Sequence, residues 1–361
     1  MSWGRDARRA AAVPAMSTDD DQPARGEPRR RAVMTDVAAL AGVSHQTVSR
    51  VINGSPQVRE ETRERVLDAM RKLDYHANSV ARALVTGRSR TLGVITFNTT
   101  LYGPASTLLG LERAAHAEGY FIGIVSLESL ERAAVNDAID RLRALSVAGI
   151  LVVAPHLATT RGLWDLPGDV PVVAVEAGPE DGVAVAAVDQ YEGARLATQH
   201  LLGLGHKTVR HIAGPADWLE AQRRIDGWRD TLDAAGAPSS ALLRGDWSPL
   251  SGYELGRRLA EDPDVTAVFV ANDQMALGLL RALNEQGREV PGDVSVVGFD
   301  DIPEAEFFTP PLTTVRQDFN EMGRRSLHLL LHQIAAGERS LTRETVPAEL
   351  VERASTAPPR M

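Results

Sequence analysis

The chain has no cysteine among its 361 residues, which excludes disulfides, thiolate nucleophiles and sulfur-ligated metal sites. It also lacks a long hydrophobic run: nothing approaches the ~18 consecutive apolar residues that a membrane-spanning helix needs. The opening stretch holds neither the apolar segment nor the small-residue cleavage site of a secretory signal. A soluble, cytoplasmic protein is expected, with no membrane partner. Several catalytic signatures are missing too. There is no Gly-x-Gly-x-x-Gly after the first strand pattern, no Walker A loop, no Gly-x-Ser-x-Gly elbow and no His-Glu-x-x-His. The expectation is a chain that is not an enzyme, needs no cofactor and binds no metal, since His200, His206 and His211 have no ligand spacing.

What is present divides unevenly. Apolar residues make up 43% of the chain, enough for a substantial core, and the length calls for two or three globular pieces. The net charge is −9, yet residues 29–90 carry 12 Arg and Lys against 6 Asp and Glu. Residues 1–28 carry 4 against 5, and residues 91–361 carry 23 against 37. This asymmetry fits a short piece that meets a polyanion and a larger acidic piece that does not.

Residues 1–32 are rich in Ala, Arg, Asp and Pro without a sustained apolar period, and read as a disordered tail. Val37, Leu40 and Ala41 then share one helical face, and Gly42 supplies a stop. Ser44 suits the N-cap of a second helix whose inward stripe is Val48, Val51 and Ile52. Asn53-Gly54-Ser55-Pro56 is a turn. A third helix begins near Glu60, with Val66, Leu67, Met70 and Leu73 inward and Arg71 and Lys72 suiting its C-terminal dipole. Three short helices so spaced make an all-α helix-turn-helix head over 33–77. Residues 78–84 are helical in pattern but too short to nucleate alone.

From Thr91 short apolar runs at 92–97, 121–127, 150–154 and 172–175 alternate with helical spacing near 105–118 and 131–145. The pattern repeats, with strands near 208–213, 266–270 and 294–298 and helices near 191–203, 218–235, 251–261 and 273–286. Such alternation means βαβ units and parallel sheets, and two halves in succession leave a cleft near the carboxyl ends of their strands.

Asp36-Val37-Ala38-Ala39-Leu40-Ala41-Gly42-Val43-Ser44, then Gln46-Thr47-Val48-Ser49-Arg50-Val51 and Asn53, resemble the head of the lactose repressor (LacI/GalR) family. Ala271-Asn272-Asp273-Gln274-Met275-Ala276-Leu277-Gly278, Val296-Val297-Gly298-Phe299-Asp300-Asp301 and Pro310-Pro311-Leu312-Thr313-Thr314 resemble its core, in the same order. The resemblance implies an α/β core of two doubly wound parallel-sheet subdomains, periplasmic-binding-protein-like, behind the helix-turn-helix head. It also implies a homodimer and effector-controlled binding to double-stranded operator DNA. The implied core is 91–355, with subdomain one at about 91–188 and 319–346, subdomain two at about 190–317, and a hinge helix and linker at 78–90. No C-terminal leucine heptads follow Val351, so a dimer is expected rather than a tetramer.

His45, Gln46 and Arg50 lie opposite the inward stripe of the second helix, at positions that enter the major groove in the family. Gln pairs bidentately with adenine and Arg with guanine, while His donates to a base-edge acceptor. Thr47 and Ser49 suit phosphates, and Asn53 closes the matching motif. The resemblance makes Leu84 a minor-groove wedge, with Asn78 as N-cap and Arg82 as a groove or phosphate contact; the alternative for Leu84 is packing in the core. For the effector, a mono- or disaccharide needs carboxylate or amide acceptors, an Arg donor and an aromatic plate. Asp300, Arg224, Asn272, Trp247 and Gln317 supply these and align with effector contacts of the family. Trp218, Glu220 and Glu176 enlarge or add polarity to the walls. The function implied is a transcription repressor induced by a sugar. The alternative is a soluble sugar-binding protein without a DNA-linked role, which the head argues against.

Overall fold

In the computed structural model the described residues are 32–52, 55–75, 89–97, 99–127, 132–153, 170–177, 182–239 and 241–360. The expected tail as far as Arg31, the Asn53-Gly54 turn, and Asn78, Arg82 and Leu84 lie outside them. The chain divides into two compact units at Arg82.

The first unit contains α1 (Met34–Ala41), α2 (His45–Ile52) and α3 (Glu60–Lys72). Gly42 ends α1 in the left-handed conformation at φ 64°, where a residue without Cβ meets no steric penalty. Ser44 Oγ accepts the Thr47 N–H at 3.1 Å and so opens α2. Arg65 of α3 donates Nη2 to the Ala41 carbonyl at 2.8 Å, satisfying a carbonyl that the helix end leaves unpaired. Val37, Ala38, Ala41, Val48, Val51, Val66 and Ala69 form the small core. Two expected core positions face out instead. Leu40 is 51% exposed and Leu67 is 40% exposed, because the buried stripes of α1 and α3 run through Ala38 and Ala69, whose small side chains let the helices approach.

The second unit holds two six-stranded sheets. Its elements in order are β1 (Thr91–Phe97), α4 (Tyr102–Ala117), β2 (Phe121–Leu127), α5 (Arg132–Ala144), β3 (Ile150–Val153), β4 (Val172–Val175), β5 (Ala184–Val188) and α6 (Gln190–Gly203). Then come β6 (Arg210–Ala213), α7 (Leu219–Ala234), β7 (Leu243–Arg244), α8 (Pro249–Ala260), β8 (Ala267–Val270), α9 (Asp273–Glu285) and β9 (Ser295–Asp300). A 3-10 turn over Pro303–Phe307 leads to β10 (Thr313–Gln317), α10 (Phe319–Ala336), β11 (Arg343–Val346) and β12 (Ala348–Val351).

The first sheet runs β11-β5-β4-β3-β1-β2 and is parallel throughout. The second runs β12-β10-β9-β8-β6-β7 and is parallel except where β12 meets β10. Every residue of β3, β4 and β8 is buried, as strands covered on both faces require. Three crossings join the halves: β5 to α6 at Asp189, β10 to α10 at Asp318, and β11 to β12 at Pro347. Asp189 and Asp318 each cap the following helix, accepting the N–H of Glu192 and Glu321 at 2.9 Å. The carboxyl ends of the central strands in both halves therefore open on one cleft beside these crossings.

Candidate effector cleft and recognition helix

A cavity of about 270 Å³ occupies that cleft. The segment Thr100 to Pro104 lines it from the first half, and Trp218, Glu220, Arg224, Trp247, Asn272, Asp300 and Gln317 line it from the second. Seven of the eight expected effector residues thus converge. Glu176 does not reach the cavity and sits one layer behind.

Arg224 lies one turn after Glu220 on α7, so the two side chains share a helix face. Its Nε donates to Gln190 Oε1 at 2.8 Å and its Nη1 to the Ala271 carbonyl. Nη2 lies 3.9 Å from Asp300 Oδ1, and the guanidinium covers the Phe299 ring with 3.8 Å to the centroid. Asp300 ends β9 with φ 113°, a backbone conformation that a non-glycine residue holds only under constraint. Its Oδ1 accepts from Gln317 Nε2 at 2.7 Å. Burial pushes this carboxyl up to about 6, against the opposing pull of Arg224 and Gln317.

Trp247 is held by a different set of contacts. Its backbone sits at φ 72°, and its carbonyl accepts from Asn272 Nδ2 at 3.1 Å. A Cβ at Gly214 would stand 2.2 Å from the indole ring, so only glycine permits the plate to lie there. Trp218 packs edge-on against it, with centroids 5.5 Å apart and planes at 74°. Asn272 has a second duty, since its Oδ1 caps α9 through the Met275 N–H at 3.0 Å. Its amide is therefore committed to holding Trp247 and α9.

Sequence reasoning missed Gln190, which the fold makes the centre of the polar floor. Besides accepting from Arg224, it donates Nε2 to Gln317 Oε1 at 2.8 Å and lies 3.5 Å from Glu176 Oε2. Glu176, at φ 59°, also accepts the Val188 N–H at 2.9 Å. The carboxyls of Glu176 and Glu220 are both raised, first by burial and then by the charge of a neighbouring carboxylate, Glu220 for the former and Asp300 for the latter. The legible signal was a repeated pair: Asp189-Gln190 opens one crossing and Gln317-Asp318 the other. Asp273, buried beside them, is structural; it braces the loop after β9 by accepting from Thr314 Oγ1 at 2.6 Å and Ile302 N–H at 2.9 Å.

In the head, His45, Gln46 and Arg50 are exposed on α2 while Val48 and Val51 are buried. Thr47 and Ser49 are half-buried, and the Thr47 hydroxyl pairs with Ser44 at 2.9 Å. No helix among the described residues is long and apolar enough to cross a membrane.

A helix-turn-helix unit and a two-lobed α/β unit with a polar, tryptophan-walled cleft define a ligand-responsive regulator of the periplasmic-binding-protein-like class. Residues 33–78 match the bacterial regulatory proteins of the lacI family, and residues 198–356 match the periplasmic binding protein-like domain. The lactose operon repressor of Escherichia coli is 34% identical over 334 residues, covering 90% of each chain. The HTH-type transcriptional regulator CelR of Thermobifida fusca is 36% identical over 345 residues, covering 91% of this chain and 99% of its own. The crystal structure of the Lac repressor dimer bound to operator and the anti-inducer ONPF superposes with a TM-score of 0.79, covering 91% of this chain and all of that one at 33% identity. A CelR–cellobiose complex superposes at 0.65, with 34% identity, 90% coverage of this chain and 100% of its own. The chain belongs to the LacI family of bacterial transcriptional regulators.

Proposed function

We propose that this protein is a cytoplasmic, homodimeric transcription repressor that binds a specific operator through its head and releases it when a sugar fills the cleft. One observation carries the reading: acceptors, an Arg donor and an aromatic plate, the three things a sugar requires, converge on one cavity of the two-lobed unit, in a chain whose head carries a helix with exposed His45, Gln46 and Arg50. The CelR–cellobiose relative favours a disaccharide or hexose. The relatives are transcriptional regulators, which supports a binding role for the cleft rather than a catalytic one. Asn53, Asn78, Arg82 and Leu84 belong to the same DNA contact surface by resemblance. The test is fluorescence anisotropy on an operator selected from a random duplex library, with sugars added at fixed salt. Release by a mono- or disaccharide is expected. Specific DNA binding that tightens with sugar would make the effector a co-repressor, and absence of sequence-specific binding would leave only a sugar-binding protein.

A further inference from the structure

Among the described residues three charged side chains line the cavity, and the one cation of the three is already matched. Arg224 gives Nε to Gln190 and Nη1 to the Ala271 carbonyl, lays its face on Phe299 and sets Nη2 beside Asp300. Glu220 has no such match. It stands in the first turn of α7 and accepts no hydrogen bond among the described residues. The positive end of a helix dipole is where an external phosphate or carboxylate would otherwise settle. Here the protein's own carboxylate occupies the first turn of α7. A second group is left unpartnered: Trp247 Nε1, on a residue only 6% exposed, has no acceptor. Hydroxyl groups satisfy both, donating to the carboxylate and accepting from the indole N–H.

We infer that the cleft selects an uncharged sugar and excludes phosphorylated and acidic ones, with Glu220 as the residue that enforces the choice; this rests on the sugar reading above. An anionic group entering the cavity meets Glu220 and Asp300, and among the described residues no free cation lines the cavity to receive it. Like charges about 5 Å apart in a partly buried site weaken binding on the order of a hundredfold. The reaction that supplies the effector is then glycoside hydrolysis or uptake that leaves the sugar unphosphorylated. A phosphoryl transfer to that sugar removes it from the effector pool and ends the signal.

The experiment measures melting temperature and calorimetric affinity of the full-length protein with glucose, galactose, lactose and cellobiose. Each neutral sugar that binds is compared with its 6-phosphate and its uronate or aldonate. At pH 8, above the value of about 7 to which burial raises the Glu220 carboxyl, the neutral sugar is expected to bind at least about a hundredfold more tightly than its anionic counterpart. In Glu220→Gln the neutral sugar weakens about tenfold while the penalty on the anion shrinks below tenfold, as loss of one charged acceptor implies. An anionic sugar that binds as well as its neutral counterpart overturns the charge inference and leaves the sugar reading standing, and this comparison needs only the wild-type chain. A Glu220→Gln protein with an unchanged neutral-to-anion ratio overturns the assignment to Glu220. If no sugar of either kind binds while a non-sugar such as hypoxanthine does, the sugar reading itself fails and takes this inference with it.

Discussion

Gln190→Leu is the most searching perturbation of the cleft, because the side chain touches no solvent-exposed surface yet joins both halves. Leucine has nearly the same volume and no polar atom. The change strands Arg224 Nε, Gln317 Oε1 and Glu176 Oε2, which now pair with the Gln190 amide at 2.8, 2.8 and 3.5 Å. A buried charged donor left without its acceptor costs about 1.5 to 3 kcal/mol, and a neutral amide oxygen about 1 kcal/mol or more. The long contact to Glu176 adds little. A loss of roughly 2 to 4 kcal/mol in the stability of the two-lobed unit follows. A second effect reaches the ligand. Gln317, no longer fixed at Oε1, is free to turn, and its bond to Asp300 loosens, so sugar affinity is expected to fall about tenfold or more. Urea unfolding of wild type and variant, followed by tryptophan fluorescence, gives the first number; calorimetric titration with the identified sugar gives the second. A stability loss below about 1 kcal/mol together with unchanged sugar affinity would refute the role assigned to this network.

Three further outcomes follow from the same structure. Asp300→Asn should leave operator binding without sugar near wild type while sugar affinity falls at least about tenfold, read by anisotropy; release at the wild-type sugar concentration would place the effector elsewhere. His211, buried between Trp228 and Phe269 with its pKa lowered by burial to about 3, stays neutral in the folded chain but protonates once unfolded below about 6.5. Its contribution is therefore complete above pH 6.5 and drains away as pH falls toward 3, so wild type should lose about 3 kcal/mol relative to His211→Phe between pH 7 and pH 4; a gap independent of pH contradicts this. A fragment beginning at Thr91 should fold, dimerise and bind sugar with no specific operator affinity, and retained specific binding by sedimentation or anisotropy would break the division of labour.

Much of this was legible in the sequence. The apolar runs at 121–127 and 172–175 became β2 and β4 with the same bounds; β4 is buried throughout, and a strand covered on both faces has no use for alternation, whereas β2 is an edge strand with Phe121 and Ile124 exposed. The cleft residues were legible chiefly through the family resemblance; Asp300 also stands at a strand end, whereas Glu220 and Arg224 lie within α7. The elements that escaped are those whose identity depends on distant partners. Arg343–Val346 and Ala348–Val351 are short and half polar, and they become strands only by pairing with β5 and β10. Ala184–Val188 is built of small residues that carry little strand signal. Gln190 looked like an ordinary solvated residue in the first turn of a helix; nothing local announces that Gln317, 127 positions away, will stand across from it. Leu40 and Leu67 failed for the opposite reason, since periodicity locates a stripe only to within one position when alanines flank it.

The three crossings also bear on how the protein is made. The first sheet receives β11 beside β5, with Val185 opposite Arg343, and α10 packs on the same half. Both come from the last part of the chain to leave the ribosome. Until they emerge, the open edge of β5 presents unpaired backbone and a run of small apolar side chains. The second half lacks only β12 at that stage. The lobe synthesised first is thus finished last, and its nascent form is the species that chaperones must shield. Slow codons or a stall before residue 319 would be felt as aggregation, while a stall once β11 has emerged and paired with β5 would be harmless.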